Sequence, residues 1–220
     1  TKVVDELFPY DVFESLSYSV EAFGQKSYNG VANITKAGST QTSKGITGLV
    51  DPQTRVISTT HKDVRVVNVY VPNGQAIGSE KFDYKLDWLA HLKKMLKDDL
   101  KKHPKMVVLG DFNIAPSDQD VHDPEKWKDK ILCSAQERAM FEEILSLGFK
   151  DSFRLFEKGA GFHSWWDYRT AAYTKELGLR IDLLLISDGL EPLCKKSYID
   201  EKPRWLERPS DHTPVVVELS

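Results

Sequence analysis

Hydrophobic residues recur along this chain with two different periods, and the changes of period mark its elements. Over residues 80–102, Phe82, Leu86, Leu89, Leu92, Leu96 and Leu100 fall at three- and four-residue steps with lysines between them, which predicts an amphipathic helix. Residues 136–147 repeat that period and stop at Gly148, a residue free to adopt the left-handed conformation that closes a helix. β-Branched, partly alternating stretches predict strands at 30–36, 55–60 and 64–71. Residues 105–109 predict a short buried strand ending at Gly110, residues 181–186 a strand that is apolar except at Asp182, and residues 215–219 a further strand. The Gly-, Ser- and Thr-rich stretch 38–48 reads as a loop or an irregular sheet edge. Runs of strands with helices interspersed predict an α/β architecture in which two sheets pack together and helices cover the outside.

A length of 220 residues suits one layered α/β unit, so a single domain spanning 1–220 is expected. With 40% hydrophobic and 29% charged residues, the chain has the composition of a packed core rather than of a disordered segment. Its net charge of −3 argues against indiscriminate coating of nucleic acid, so such a partner has to be met by a local face. The two cysteines, Cys133 and Cys194, make neither a disulfide framework nor a metal-ligand spacing, which fits a reducing interior. No apolar run reaches membrane-spanning length and no positively charged apolar leader is present. An intracellular, cytoplasmic protein is expected.

Three short runs put a carboxylate at the end of a hydrophobic strand or just inside it: Gly110-Asp111-Phe112-Asn113, Arg180-Ile181-Asp182-Leu183-Leu184-Leu185 and Ser210-Asp211-His212. Burying a strand-borne carboxylate is costly unless a metal, a cation or a hydrogen-bond donor compensates. Three such aspartates and one histidine therefore point to one polar site, and metal-assisted phosphodiester cleavage is the chemistry that suits it. Each run also has a plainer reading. Gly-Asp-x-Asn is a common turn opener. Alternation nevertheless points Asp111 and Asn113 the same way, one able to take a proton and the other to donate to a phosphate oxygen. Asp182 shares a strand face with Arg180 and either pairs with it or orients a histidine by accepting its ring N–H. His212 lies on a backbone stiffened by Pro209 and Pro214. Tyr70 ends a strand ahead of Pro72-Asn73-Gly74; it reads as rim packing or as a phenol donating to phosphate, with Asn73 holding a neighbouring side chain. The run Ser164-Trp165-Trp166-Asp167-Tyr168-Arg169 reads as core or as a surface that stacks on a nucleotide or sugar. Lys93-Lys94, Lys101-Lys102 and Lys195-Lys196 read as solvated surface.

Taken in order, these pieces resemble the exonuclease III family of apurinic/apyrimidinic (AP) endonucleases. The resemblance rests on Gly24-Gln25-Lys26 with Tyr28-Asn29-Gly30-Val31-Ala32, on Val69-Tyr70-Val71-Pro72-Asn73-Gly74, and on Leu109-Gly110-Asp111-Phe112-Asn113-Ile114-Ala115-Pro116. It continues through the aromatic run at 164–169, the strand at 179–185 and Pro209-Ser210-Asp211-His212-Thr213-Pro214-Val215, and so covers nearly the whole chain. It implies a four-layer α/β sandwich of the DNase I-like kind, two mixed sheets face to face and flanked by helices. It implies a Mg²⁺-dependent nuclease, with Mn²⁺ as an alternative ion, that incises the phosphodiester 5′ to an abasic site in duplex DNA. Side activities implied are 3′→5′ exonuclease and 3′-phosphodiesterase. Carried over by motif, Asp111 would orient or activate the attacking water or help protonate the leaving group. Asn113, Tyr70 and His212 would hold the phosphate, Asp182 would orient His212, and Asp211 would lie at or near the metal. Trp165, Leu179 and Ile181 would line an apolar pocket for a flipped-out, baseless sugar, and Asn73 would assist binding.

One departure qualifies the resemblance. The family's principal metal-binding Glu lies on a strand ending Gln-Glu-Thr-Lys, and this chain opens at Thr1-Lys2, just behind that Glu. The domain is accordingly expected to be N-terminally incomplete. Two rival readings follow. One is a catalytically impaired remnant that binds abasic DNA without cutting it. The other is a phosphodiesterase or phosphatase of the same superfamily acting on a small molecule or lipid, against which Trp165, Leu179 and Ile181 argue. The expected partner is duplex DNA containing abasic sites, with no membrane; the expected state is a monomer, nucleoid-associated if bacterial.

Overall fold

A computed structural model describes residues 1–220. In chain order it begins with α1 (Tyr10–Ser15), β1 (Ser19–Phe23), β2 (Val31–Thr35), β3 (Thr40–Lys44), β4 (Val56–His61), β5 (Val64–Tyr70) and α2 (Glu80–Leu100). It continues with β6 (Met106–Asp111), α3 (Pro124–Trp127), α4 (Ala135–Leu145), β7 (Phe149–Asp151), α5 (Ser152–Phe156), β8 (Trp165–Trp166) and β9 (Gly178–Leu179). β10 (Asp182–Ser187), β11 (Cys194–Ile199) and β12 (Val215–Leu219) follow.

Six strands form one sheet in the order β3-β4-β5-β6-β10-β7. Only β5 and β6 run parallel. Parallel neighbours need a crossover, and α2 is that crossover. On one face of the sheet, Val67, Val69, Val108, Leu183 and Leu185 pack against Trp88, Leu89, Leu92 and Leu96 of α2 and Phe141 and Ile144 of α4. On the other face, Val107, Leu184 and Ile186 meet Val215, Val217 and Leu219 of β12. Because β6 and β10 are covered on both sides, their sequences read as apolar throughout rather than alternating.

The second layer is made of two separate hairpins rather than a continuous sheet. β1–β2 packs on β4 and β5, with α1 outside it, while β12 of the β11–β12 hairpin packs on β10. Helices, sheet, hairpins and α1 make the four layers, and a cleft is left between the two hairpins. The 38–48 stretch supplies β3, a fully exposed and irregular edge strand. The apolar stripe of α2 is turned from the expected one: Lys85 and Trp88 take central buried positions while Leu86 and Leu100 are only half-buried. No helix is long and apolar enough to cross a membrane.

Candidate active site

Strand register builds the centre of the site. The β5–β6 pairing sets Tyr70 beside Asp111, and the β6–β10 pairing sets Asp111 opposite Asp182. Directly paired residues project from the same face of a sheet, so the three side chains form one row across three strands. Close approach at this row requires Gly110, whose φ is +135° and whose place a Cβ could take only 1.9 Å from the Val69 carbonyl oxygen. His212 extends the row, its Nδ1 2.8 Å from Asp182 Oδ2.

The loop carrying His212 is pinned to β8: Trp166 N–H donates to the Asp211 carbonyl (3.0 Å) and Thr213 N–H to the Ser164 carbonyl (2.8 Å). Ser164 then uses its hydroxyl three ways, donating to Asp182 Oδ2 (2.7 Å) and accepting from the N–H groups of Ile181 and Asp182 (3.0 and 2.9 Å). Asp182 is thus an orienting acceptor for the imidazole and does not pair with Arg180. That guanidinium is buried elsewhere, its Nε 2.6 Å from Asp120 and its Nη2 2.6 Å from Asp151.

The row faces the cleft between the hairpins, a space of about 630 Å³ lined by Asn68, Tyr70, Asp111, Asp182, Asp211 and His212 together with residues of β2. Electrostatics there are dominated by three neighbouring carboxylates. Burial and the charge of Asp182 push Asp111 up to about 7, against the opposing pull of His212. Burial disfavours the charged His212 ring, but the hydrogen bond to Asp182 and the charges of Asp182, Asp111 and Asp211 outweigh it and raise its pKa to about 9. Burial and Asp111 also raise the Tyr70 phenol, which therefore stays a donor. Arg55 fixes that ring, stacking 5.0 Å from its centroid and donating to the Tyr70 carbonyl (2.9 Å).

Gly-Asp-Phe-Asn forms the turn of the plain reading, and that turn fixes the site carboxylate. Asn113 is in the left-handed region (φ +49°), and its N–H donates to Asp111 Oδ1 at 2.8 Å, an Asx turn. Its side-chain amide donates to Asp111 Oδ2 (3.2 Å) and to the Val71 carbonyl (3.0 Å) and accepts from Asn73 Nδ2 (3.0 Å). Both amide hydrogens are committed, so in this arrangement Asn113 holds Asp111 rather than offering a free donor to phosphate.

The expected apolar pocket is corrected in part. Trp165 is half-buried beside the cleft-lining Asp211 and His212, its Nε1 3.2 Å from Asp211 Oδ2 and its ring 6.4 Å from that of His212. Leu179 and Ile181 are buried in a small cluster with Val121 and Cys133, so they back Trp165 and present no surface of their own. Sequence reasoning missed Ser164, which was legible only as the first letter of an aromatic run, and the buried Lys85 described below.

No three His, Cys, Asp or Glu side chains converge on a common point. A hard cation that keeps most of its water needs only one or two carboxylates. Burial first, and then the charge of Asp182, raise the proton affinity of Asp111, and Asp211 opens on the same cleft, so a dication held there would favour the charged carboxylate. In that sense the residues fit such an ion.

The sequence profile of the endonuclease/exonuclease/phosphatase family matches residues 5–212. The chain belongs to that family. Among characterised members of the endonuclease/exonuclease/phosphatase family it is 36% identical to exodeoxyribonuclease III of Haemophilus influenzae, over 99% of this chain and 86% of that protein. It is 34% identical to an exodeoxyribonuclease of Bacillus subtilis, over 98% of this chain and 83% of that one. Two solved structures are similar throughout. The 3′ phosphatase NExo from Neisseria, bound to a product DNA hairpin, shares 44% identity with a TM-score of 0.97, covering 100% of this chain and 86% of that one. An AP endonuclease from Archaeoglobus fulgidus shares 35% identity with a TM-score of 0.95, over 100% and 86%. The two-layered β architecture between helices is thus the family's DNase I-like fold, and the family is one of divalent-metal-dependent hydrolytic nucleases.

Proposed function

We propose that this chain is a DNA repair nuclease of the exonuclease III type, which hydrolyses the phosphodiester 5′ to an abasic site in duplex DNA. The observation that carries this reading is the single row Tyr70–Asp111–Asp182, closed by His212, beneath one open cleft. Water adds to phosphorus, and the bond to the 3′ oxygen of the preceding nucleotide breaks. The 3′ oxygen leaves with the bonding pair and takes a proton from a solvent water in the open cleft, so a 3′ hydroxyl and a 5′ phosphate result. Asp111, facing the cleft and held at both carboxylate oxygens by Asn113, takes the proton of the attacking water. His212, held as imidazolium by Asp182, and the Tyr70 phenol donate to the phosphate oxygens, where charge develops. Trp165 offers an apolar face to a baseless sugar, whose flipping is easy because little stacking has to be broken. A bound Mg²⁺, or Mn²⁺, would be held at Asp211 and supply Lewis-acid stabilisation of the phosphate. The protein acts as a monomer in the cytoplasm, with the DNA.

A second reading is favoured by one comparison: identity to the Neisseria 3′ phosphatase, 44%, exceeds the 35% to the AP endonuclease. On that reading the same row acts on 3′-blocked ends. Both are tested with two labelled duplexes, one carrying an internal abasic analogue and one a 3′ phosphate, each with Mg²⁺ and with EDTA. Metal-dependent cutting 5′ to the abasic site is expected. Exclusive release of the 3′ phosphate would replace it with the second reading, and binding without any hydrolysis would make the chain an impaired remnant.

A further inference from the structure

Lys85 has no exposed atoms, although it lies on a helix whose other lysines reach solvent. All three ammonium hydrogens are used. One goes to the Asn113 carbonyl (2.7 Å), one to the Asn73 carbonyl (3.3 Å) and one to Glu137, itself fully buried on α4. Glu137 is fixed in turn by the start of its helix, accepting from Leu132 N–H, Ser134 N–H and the Ser134 hydroxyl. Burying such a pair is poor economy for stability alone, since apolar residues of similar volume generally serve as well.

What the pair holds is specific. Asn73 and Asn113 lie on the two loops that leave the parallel strands β5 and β6, and their side chains bond each other at 3.0 Å. Asn113 grips both oxygens of Asp111. The stem of Lys85 passes under Gly74, where a Cβ would stand 3.0 Å from its Cδ. Behind the cleft a continuous chain of bonds therefore runs from Glu137 through Lys85 to both loops and on to Asp111. We infer that Lys85, anchored by Glu137, is a positioning residue for the cleavage step: its ammonium ties the two loops together from behind and so aims the Asp111 carboxylate. The inference deepens the nuclease reading and rests on it.

The test uses the double variant Lys85→Met/Glu137→Gln, which removes both charges and leaves none buried alone, in the whole chain. Single-turnover cleavage of the abasic duplex should fall at least 30-fold (about) while the Kd for the duplex stays within about threefold, because geometry at Asp111 is lost and the DNA surface is not. Cleavage at the wild-type rate would overturn the inference and leave Lys85 as core filling. A loss in Kd that accounts for the whole loss in rate would overturn it as well. Should the double variant not fold, Glu137→Gln alone removes the anchor and the charge that favours the Lys85 ammonium, and should likewise lower the single-turnover rate at least about 10-fold with Kd within about threefold; a smaller loss there would overturn the inference. The side-chain amide protons of Asn113, read by NMR in substrate-free protein, separate this inference from the nuclease reading. Their slow exchange in the wild type and fast exchange in the double variant would uphold the tie even if the chain cut no DNA, and unchanged exchange would refute it.

Discussion

At the level of single side chains, His212 is held well above neutrality and Asp111 close to it, and both stand above their ordinary values. Replacing Asp182 by Asn removes the acceptor that holds the His212 ring and one of the charges that favours its proton. The imidazole pKa, followed by NMR in metal-free protein, should then fall from about 9 toward the ordinary ~6.5. Cleavage should drop by about 100-fold or more in Asp182→Asn and in His212→Ala. An unchanged pKa in the Asn variant would detach His212 from Asp182. The same shifts set a dependence of stability on pH. A folded pKa above the unfolded one gives stability that is full below the unfolded value and lost as pH rises through the folded value. For Asp111 that window runs from about 4 to about 7, and for His212 from about 6.5 to about 9. Metal-free protein should therefore lose unfolding free energy across both windows, and urea titrations of Asp182→Asn should lose the upper one.

Among the elements, the strands that pack on both faces or alternate cleanly, β4, β5, β6, β10 and β12, were legible in the sequence, as were α2 and α4. The row Tyr70–Asp111–Asp182 was legible only as three polar residues at strand ends, because no spacing along the chain reports which strands lie side by side. Five strands, β1, β7, β8, β9 and β11, escaped notice for a physical reason: they are two to six residues long and several are half exposed, so neither period nor apolar content marks them. Lys85 escaped because helix periodicity counts apolar residues and treats every lysine as solvated. The partners of Arg180 were not legible either, since they lie 60 and 29 residues away in sequence. Arg180→Met leaves Asp120 and Asp151 without this partner and should cost about 3–5 kcal/mol of unfolding free energy. A loss under about 1 kcal/mol in chemical denaturation would mean Arg154, also bonded to Asp120, suffices. Gly110→Ala forces a Cβ into the β5 backbone and should abolish folding or cost more than about 4 kcal/mol.

For the molecule as a whole, the cleft gathers negative charge in a protein that already carries −3, so a divalent cation should act on the entire folded state. Protons and the cation compete for the same relief of repulsion. Adding Mg²⁺ should raise the melting temperature at pH 8 by more than at pH 5, because at pH 5 Asp111 already carries a proton. Equal shifts at both pH values would place the ion away from Asp111. The row itself is assembled from positions 70, 111, 182 and 212, drawn together by one parallel and one antiparallel pairing. Sliding β10 against β6 by one residue would turn Asp182 to the opposite face, and sliding it by two would carry it about 6.6 Å along the strand. The two-residue slip would leave every β10 side chain on its own face, so helices and compactness would change little. Specific activity is then a finer gauge of correct assembly than circular dichroism or chromatographic size, because the reacting row exists in one register alone.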